Sequence, residues 1–397
     1  MKKKYGFIDK FFKAWQDFRK FNTLTDKERS IVFYVEDETS WVHFSPIIKE
    51  LTKKTQNPIC CVTSDPYDSS LEETNPQIIP IYIGDGVLRT IFFKIIDATV
   101  MILTMPDLQK FHLKRSNYPV KYVYIFHSMV STHMNYRKGA FDHYDTIFCV
   151  GPHHETEIRA TEKLYGLPPK KLIKHGYGVL DSLLEQSHQD IQLPTVYAKN
   201  KLRILIAPSW GPCGLLETCG VELINNLLSA GYNVTVRPHP LTRRHYPEKL
   251  DVIYSRFKHN IEFSYEENIC SHESFFSSHL MISDWSGAAM EFAFCLERPV
   301  LFIDVPQKNN NPEYEKILLS PLEVKLRTQI GRILSPDSID QADKFIEKIW
   351  EERESFGEGI RAARNKWVHN VKSSAEKGSI AILELVNNSK PPINKLK

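Results

Sequence analysis

Two short segments hold the side chains best suited to gripping a phosphorylated ligand. Arg237-Pro238-His239-Pro240 offers a guanidinium that can clamp phosphate oxygens in pairs, and an imidazole that can donate to a phosphoryl oxygen or protonate a leaving group. Ser283-Asp284-Trp285-Ser286-Gly287 offers two serine hydroxyls and a glycine that admits close backbone approach. The apolar, Ala-rich run from Ala288 to Leu296 reads as a helix opening onto that turn, so unpaired amides and a partial positive charge face an incoming anion. Glu291, one turn inside, could accept hydrogen bonds from ribose hydroxyls. Taken alone, Ser283 and Asp284 also read as a plain helix cap, and Arg237–Pro240 as an exposed turn.

Three more segments bear on the chemistry. His127-Ser128 follows the run Val123–Phe126, and a histidine at such a strand end could take a proton from an attacking hydroxyl near neutral pH. With 15 histidines in the chain, one that only packs at a strand end is the competing reading. Ala207-Pro208-Ser209-Trp210-Gly211 ends another strand and brings Pro208 and Ser209 into a donor-facing loop. His175-Gly176-Tyr177-Gly178 reads as a hinge turn whose glycines supply unusual backbone angles. His133, His143, His153 and His154 match no ligand spacing, and no metal site is assigned.

These segments need strand ends to hold them, and the chain supplies strands in two series. Apolar runs at 31–35, 58–64, 78–83, 99–104, 121–126 and 146–150 alternate with helical patterns at 41–54, 87–96 and 153–165. After a polar stretch at 186–201 the alternation resumes, with strands expected at 202–207, 233–236, 261–263, 280–282 and 300–303. Such alternation predicts parallel, doubly wound sheets, an α/β fold of two Rossmann-like domains facing across a cleft, with a helical C-terminal tail. The expected divisions are a basic amphipathic helix at 1–25, an N-terminal acceptor domain at 26–190, a donor-binding domain at 200–335 and C-terminal helices at 336–397. Ligands in such folds bind beyond the carboxyl ends of the strands, where all the segments above would lie.

Composition narrows the class. An apolar share of 42% and a charged share of 25% over 397 residues suit a globular protein with two cores, and a net charge of +3 gives no case for nucleic acid. Seven cysteines without paired spacing suggest reduced thiols and a cytoplasmic protein. No apolar run approaches the roughly 20 residues that span a bilayer. The N-terminus instead gathers Ile8, Phe11, Phe12, Trp15 and Phe18 at helical spacing beside Lys2, Lys3, Lys4, Lys10, Lys13, Arg19 and Lys20. That stripe suits either an anionic membrane surface or packing on the protein itself.

Ile206–Trp210, Arg237–Pro240, Met281–Ser286 and Arg298–Phe302, in that order, resemble the motifs of the CDP-glycerol glycerophosphotransferases, enzymes that build alditol phosphates into teichoic acids and some capsular polymers. The resemblance implies a GT-B-type fold, a peripheral enzyme on the inner face of the cell membrane, a CDP-alditol donor and a glycan or lipid-linked acceptor, with CMP released. It assigns His127 and His239 as the catalytic pair, and Ser283, Asp284 and Ser286 to the donor phosphates. No cofactor is expected; a divalent cation is left open, since phosphoryl chemistry invites one, yet the sequence shows no aspartate cluster dedicated to it. Two positions depart from the family pattern: Ser128 where glycine usually follows the first histidine, and Gly287 where a second serine usually stands. Glu291 and its Ala-rich helix are also similar to nucleotide-sugar glycosyltransferases of the same fold. A glycosyltransferase, a nucleotide-sugar epimerase and a non-catalytic glycan- or lipid-binding protein therefore remain the alternatives.

Overall fold

The computed structural model describes residues 6–111, 113–187, 198, 200, 202–266 and 272–389. Lys2, Lys3, Lys4, Cys270, most of the polar stretch 186–201 and the last eight residues of the expected tail lie outside them.

The first domain is built from β1 (Ile31–Val35), β2 (Ile59–Thr63), β3 (Ile78–Tyr82), β4 (Val100–Leu103), β5 (Lys121–Ile125), β6 (Thr146–Cys149) and β7 (Lys171–Lys174). Its helices are α1 (Phe7–Thr23), α2 (Glu38–Lys54), α3 (Val87–Ile95), α4 (Thr132–Asn135), α5 (Pro152–Tyr165) and α6 (Gly178–Gln186). The second holds β8 (Arg203–Ile206), β9 (Asn233–Val236), β10 (Phe263–Tyr265), β11 (Leu280–Ser283), β12 (Val300–Ile303) and β13 (Gly331–Leu334). Between these run α7 (Leu215–Thr218), α8 (Gly220–Ser229), α9 (Pro240–His245), α10 (Pro247–Phe257), α11 (Glu273–Ser277), α12 (Gly287–Leu296) and α13 (Leu322–Leu326). Three helices close the chain: α14 (Ala342–Glu351), α15 (Arg353–Trp367) and α16 (Ser374–Asn387).

Both sheets are parallel, in the orders β3-β2-β1-β4-β5-β6-β7 and β10-β9-β8-β11-β12-β13. Every residue of β1, β2, β4, β6, β11 and β12 is buried, which is why these strands read as unbroken apolar runs. In the second sheet Ile206 pairs with both Val236 and Ile282. That register brings the chain out of β9, β8 and β11 side by side, at the point where the strand order reverses, the usual ligand edge of such sheets.

The closing helices divide between the domains. Ile346, Ile349 and Trp350 of α14 join the second domain's core. Ala381, Ile382 and Leu385 of α16 pack with Phe44, Ile47, Ile48 and Leu51 of α2 in the first. Asp181 of α6 fastens this return, its carboxylate accepting from Lys372 N at 2.6 Å and from Ser374 N at 2.9 Å. The turn just ahead, expected as a domain hinge, lies inside the first domain between β7 and α6, and it is tight at Gly176, where φ is +105° and a Cβ would lie 2.4 Å from the His369 carbonyl. Gly178 instead begins α6 without a left-handed angle, a correction to the expectation that both glycines bend the chain.

Helix α1 serves two surfaces. Ala14, Phe18 and Phe21 are buried, with the Phe21 ring 4.8 Å from Phe92 of α3. Phe18 thus packs on the protein itself, while Ile8, Phe11, Phe12 and Trp15 are exposed, as are Val87, Ile91 and Ile95 on α3. Among the described residues no helix is long and apolar enough to cross a membrane.

Candidate active site

His127 stands at the carboxyl edge of the first sheet, two residues beyond β5. Its Nδ1 lies 3.2 Å from the Thr104 carbonyl, which can only accept, so Nδ1 carries the proton and Nε2 is left as the basic nitrogen. Burial pulls the imidazole below its ordinary range, which keeps it neutral and able to take a proton near pH 7. The turn beyond is braced from α5: His153 Nε2 and His154 Nε2 sit 2.9 Å from the Met129 and Val130 carbonyls. Burial holds both rings neutral, and His133 Nε2 is spent on the Leu319 carbonyl at 3.0 Å. These histidines shape the turn. Among the described residues no group of three or more His, Cys, Asp or Glu could hold a metal ion.

A cavity of about 230 Å³ opens between the loops after β8, β9 and β11 of the second domain, with Val179 and Leu183 of α6 in the first domain on its wall. Pro208, Arg237, His239, Ser286 and Glu291 line it, with His272 beside them. His239 caps α9: its Nδ1 accepts from Leu241 N at 3.1 Å, which turns Nε2–H out as a donor. Burial, aided by the cation of Lys308, lowers this ring to about 4. It therefore meets a ligand as a neutral donor, and a bound phosphate would have to raise its pKa before it could release a proton. Ser286 caps α12 by accepting from Ala288 N at 3.3 Å, so the plain capping role and the cavity-lining role coincide in one residue.

Ser209, Ser283 and Asp284 do not take the positions expected of them. The Ser283 hydroxyl donates inward to the Ala207 carbonyl at 2.8 Å. Asp284, 1% exposed, accepts from Ser209 N at 2.7 Å and Leu215 N at 3.3 Å. A buried carboxylate satisfied by amides is a loop anchor, and its charge would repel a phosphate. These residues hold the 207–215 loop against β11, and so act on the cavity through Pro208.

Gly287 lies on the domain interface. A Cβ there would fall 2.7 Å from Ser128 Oγ, so its missing side chain leaves room for the first domain's turn against the start of α12. The two positions that depart from the family pattern thus face each other. The same turn is tied to the second domain by Ser131, whose N and Oγ donate to Glu323 at 3.0 and 2.8 Å, and by Asn311 Nδ2, which donates to the His133 carbonyl at 2.8 Å.

Two cleft residues escaped the sequence reading. His43, on the first helix after β1, places its ring 6.4 Å from that of His127 and 6.0 Å from that of Tyr177. Burial, then the neighbouring His127, pushes it down to about 3, so it stands as a neutral ring beside His127. Tyr177, seen only as part of a hinge, places its hydroxyl 2.7 Å from Glu291 Oε1 and 3.1 Å from the His127 carbonyl. A position after β1 was the one signal for His43; nothing local marked Tyr177.

Comparison with known proteins places this geometry in a lineage. Residues 107–310, just over half of the chain, match the CDP-glycerol:poly(glycerophosphate) glycerophosphotransferase family, and the matched span runs from before His127 to beyond Glu291. The chain belongs to this family. No curated protein matches it. Among solved structures, the wall teichoic acid polymerase TagF has 15% identity and a TM-score of 0.57, covering 96% of this chain and 99% of its own. S. aureus MnaA with UDP has 12% identity and a TM-score of 0.58, covering 92% and 100%. A glycosyltransferase from Rickettsia africae has 12% identity and a TM-score of 0.55, covering 91% and 100%. At these identities the likeness is one of fold, the two-domain GT-B-like architecture. Family membership makes the protein an enzyme of the glycerophosphotransferase type.

Proposed function

We propose that this protein transfers glycerol phosphate, or a related alditol phosphate, from a CDP-linked donor to a hydroxyl of a glycan or lipid-linked acceptor, releasing CMP. The observation that carries the reading is the gathering of Arg237, His239, Ser286 and Glu291 around one cavity, in a family defined by a CDP-glycerol donor. Arg237 and the amides at the start of α12 bind the two phosphates, and Glu291 takes the ribose. His127 Nε2 removes the proton of the acceptor hydroxyl as its oxygen bonds to the phosphorus nearest the alditol. The bond from that phosphorus to the bridging oxygen breaks, and CMP leaves with the electron pair. His239 Nε2–H and Arg237 stabilise the charge that gathers on the departing phosphate, electrostatic help worth several kcal/mol in reactions of this kind.

The acceptor side needs access to a surface polymer. In our reading the exposed Ile8, Phe11, Phe12 and Trp15 of α1, continued by Val87, Ile91 and Ile95 of α3, rest on the inner leaflet of the cell membrane. Arg19 and Lys20, exposed on the same helix, supply the attraction to anionic lipid. Offering the purified protein CDP-glycerol, CDP-ribitol and nucleotide sugars with a membrane extract tests the reading. Mass spectrometry should find alditol phosphate added to the acceptor from a CDP donor; a sugar product with UDP release would replace the reading with a glycosyltransferase.

A further inference from the structure

The turn His175–Gly178 has no part in that transfer, yet its tyrosine touches both halves of the site. Tyr177 is buried, 2% exposed, and its hydroxyl reaches across the domains to Glu291 Oε1 at 2.7 Å while lying 3.1 Å from the His127 carbonyl. A phenol has one proton, and both neighbours are acceptors, so the shorter, charge-assisted bond to the carboxylate takes most of it and the carbonyl the weaker share. Burial and the adjacent Glu291 push the phenol well above the ordinary tyrosine range, so it stays a donor throughout the working range of an enzyme. Burial also raises Glu291, and the bond from Tyr177 opposes that rise. With Oε1 held by Tyr177, Oε2 has no hydrogen-bond partner among the described residues, and Glu291 lines the donor cavity.

We propose that Tyr177 is a positioning residue for nucleotide recognition: from the first domain it turns the other oxygen of Glu291, Oε2, toward the cis-diol of the donor's ribose, and through the same hydroxyl it steadies the main chain of His127. Donor recognition and base placement then depend on one atom. The inference rests on the reading of Glu291 as the ribose acceptor.

Binding of CDP-glycerol and its 2′-deoxyribo counterpart, measured by calorimetry on the full chain, tests it. The wild type should prefer the ribose donor by roughly ten- to hundredfold, the range for a hydrogen bond to a charged group. Tyr177→Phe, which keeps the ring, should cut that preference to below about threefold, as should Glu291→Gln, and the double variant should be no worse than either, because both remove one interaction. Incorporating 4-aminophenylalanine at position 177, which restores a donor, should bring the preference back. Melting temperatures of the variants separate this loss from misfolding, which the restored donor would not repair. If Tyr177→Phe keeps the wild-type preference while Glu291→Gln loses it, the proposal is overturned and the Glu291 reading stands. A wild type without any preference overturns both.

Discussion

Replacing Asp284 by asparagine separates an anchor from a phosphate contact, because the two roles predict opposite effects. The carboxylate is buried and accepts from Ser209 N at 2.7 Å and Leu215 N at 3.3 Å. Asparagine offers one carbonyl oxygen and one NH₂, so one amide keeps an acceptor and the other meets a donor. A hydrogen bond to a charged group contributes about 1.5–3 kcal/mol, and leaving a buried N–H unpaired costs about 1–3 kcal/mol. Allowing for overlap between the two, Asp284→Asn should cost about 2–4 kcal/mol, roughly 4–16 °C in the melting temperature of a domain this size. The 207–215 loop carries Pro208 into the cavity proposed for the donor, so kcat/KM for the donor should fall at least about tenfold as that wall shifts. Thermal unfolding and steady-state kinetics on the purified variant read both. If Asp284 faced the phosphates instead, removing its charge would leave stability near wild type and tighten donor binding; that pair of results would refute the anchor.

Arg237→Lys keeps the charge and loses the planar fork, so it should raise the donor KM by about tenfold or more, read from initial rates over a donor series. The pH profile of kcat/KM should keep its rate down to pH 6.5 and fall only below it, since burial holds His127 beneath its ordinary value and the base is lost when it is protonated there; an acid limb above 6.5 would contradict the neutral base. On α1, Phe18→Ala should cost about 3–5 kcal/mol of stability by opening a cavity beside Phe21 and Phe92. Phe11→Ser with Phe12→Ser should leave melting unchanged and abolish cosedimentation with anionic liposomes, because those rings face outward.

What could be read from the chain follows from how local each signal is. Strands buried on both faces are continuous apolar runs, so β1, β2, β11 and β12 stood out within a residue or two. β13, Gly331-Arg332-Ile333-Leu334, is an edge strand with a glycine and an arginine in its four residues, and nothing short of its pairing with β12 reveals it. The return of α16 to the first domain is equally non-local, since its apolar face fits any core and its place beside α2 is set by distant ties such as Asp181 to Lys372 N and Asn370 to the Lys174 carbonyl. In the site, Arg237, His239 and Ser286 were legible because each follows a strand end, and Glu291 because it lies one turn inside the helix that opens there; all four line one cavity. Ser283 ends β11 and Asp284 follows it, yet their side chains turn inward to satisfy the 207–215 loop, a demand set by a segment some 70 residues away. Tyr177 owes its place to the approach of two domains, which no window of sequence contains.

The central claim is that acceptor-dependent CMP release runs through His127 and His239 across one cleft. Purified wild-type protein, supplied with CDP-glycerol and acceptor-bearing membranes, should release one CMP for each glycerol phosphate found on the acceptor by mass spectrometry. His127→Ala should abolish release while donor binding persists, and His239→Ala should lower it by about a hundredfold or more. Wild-type rates of CMP release in both variants would contradict the account.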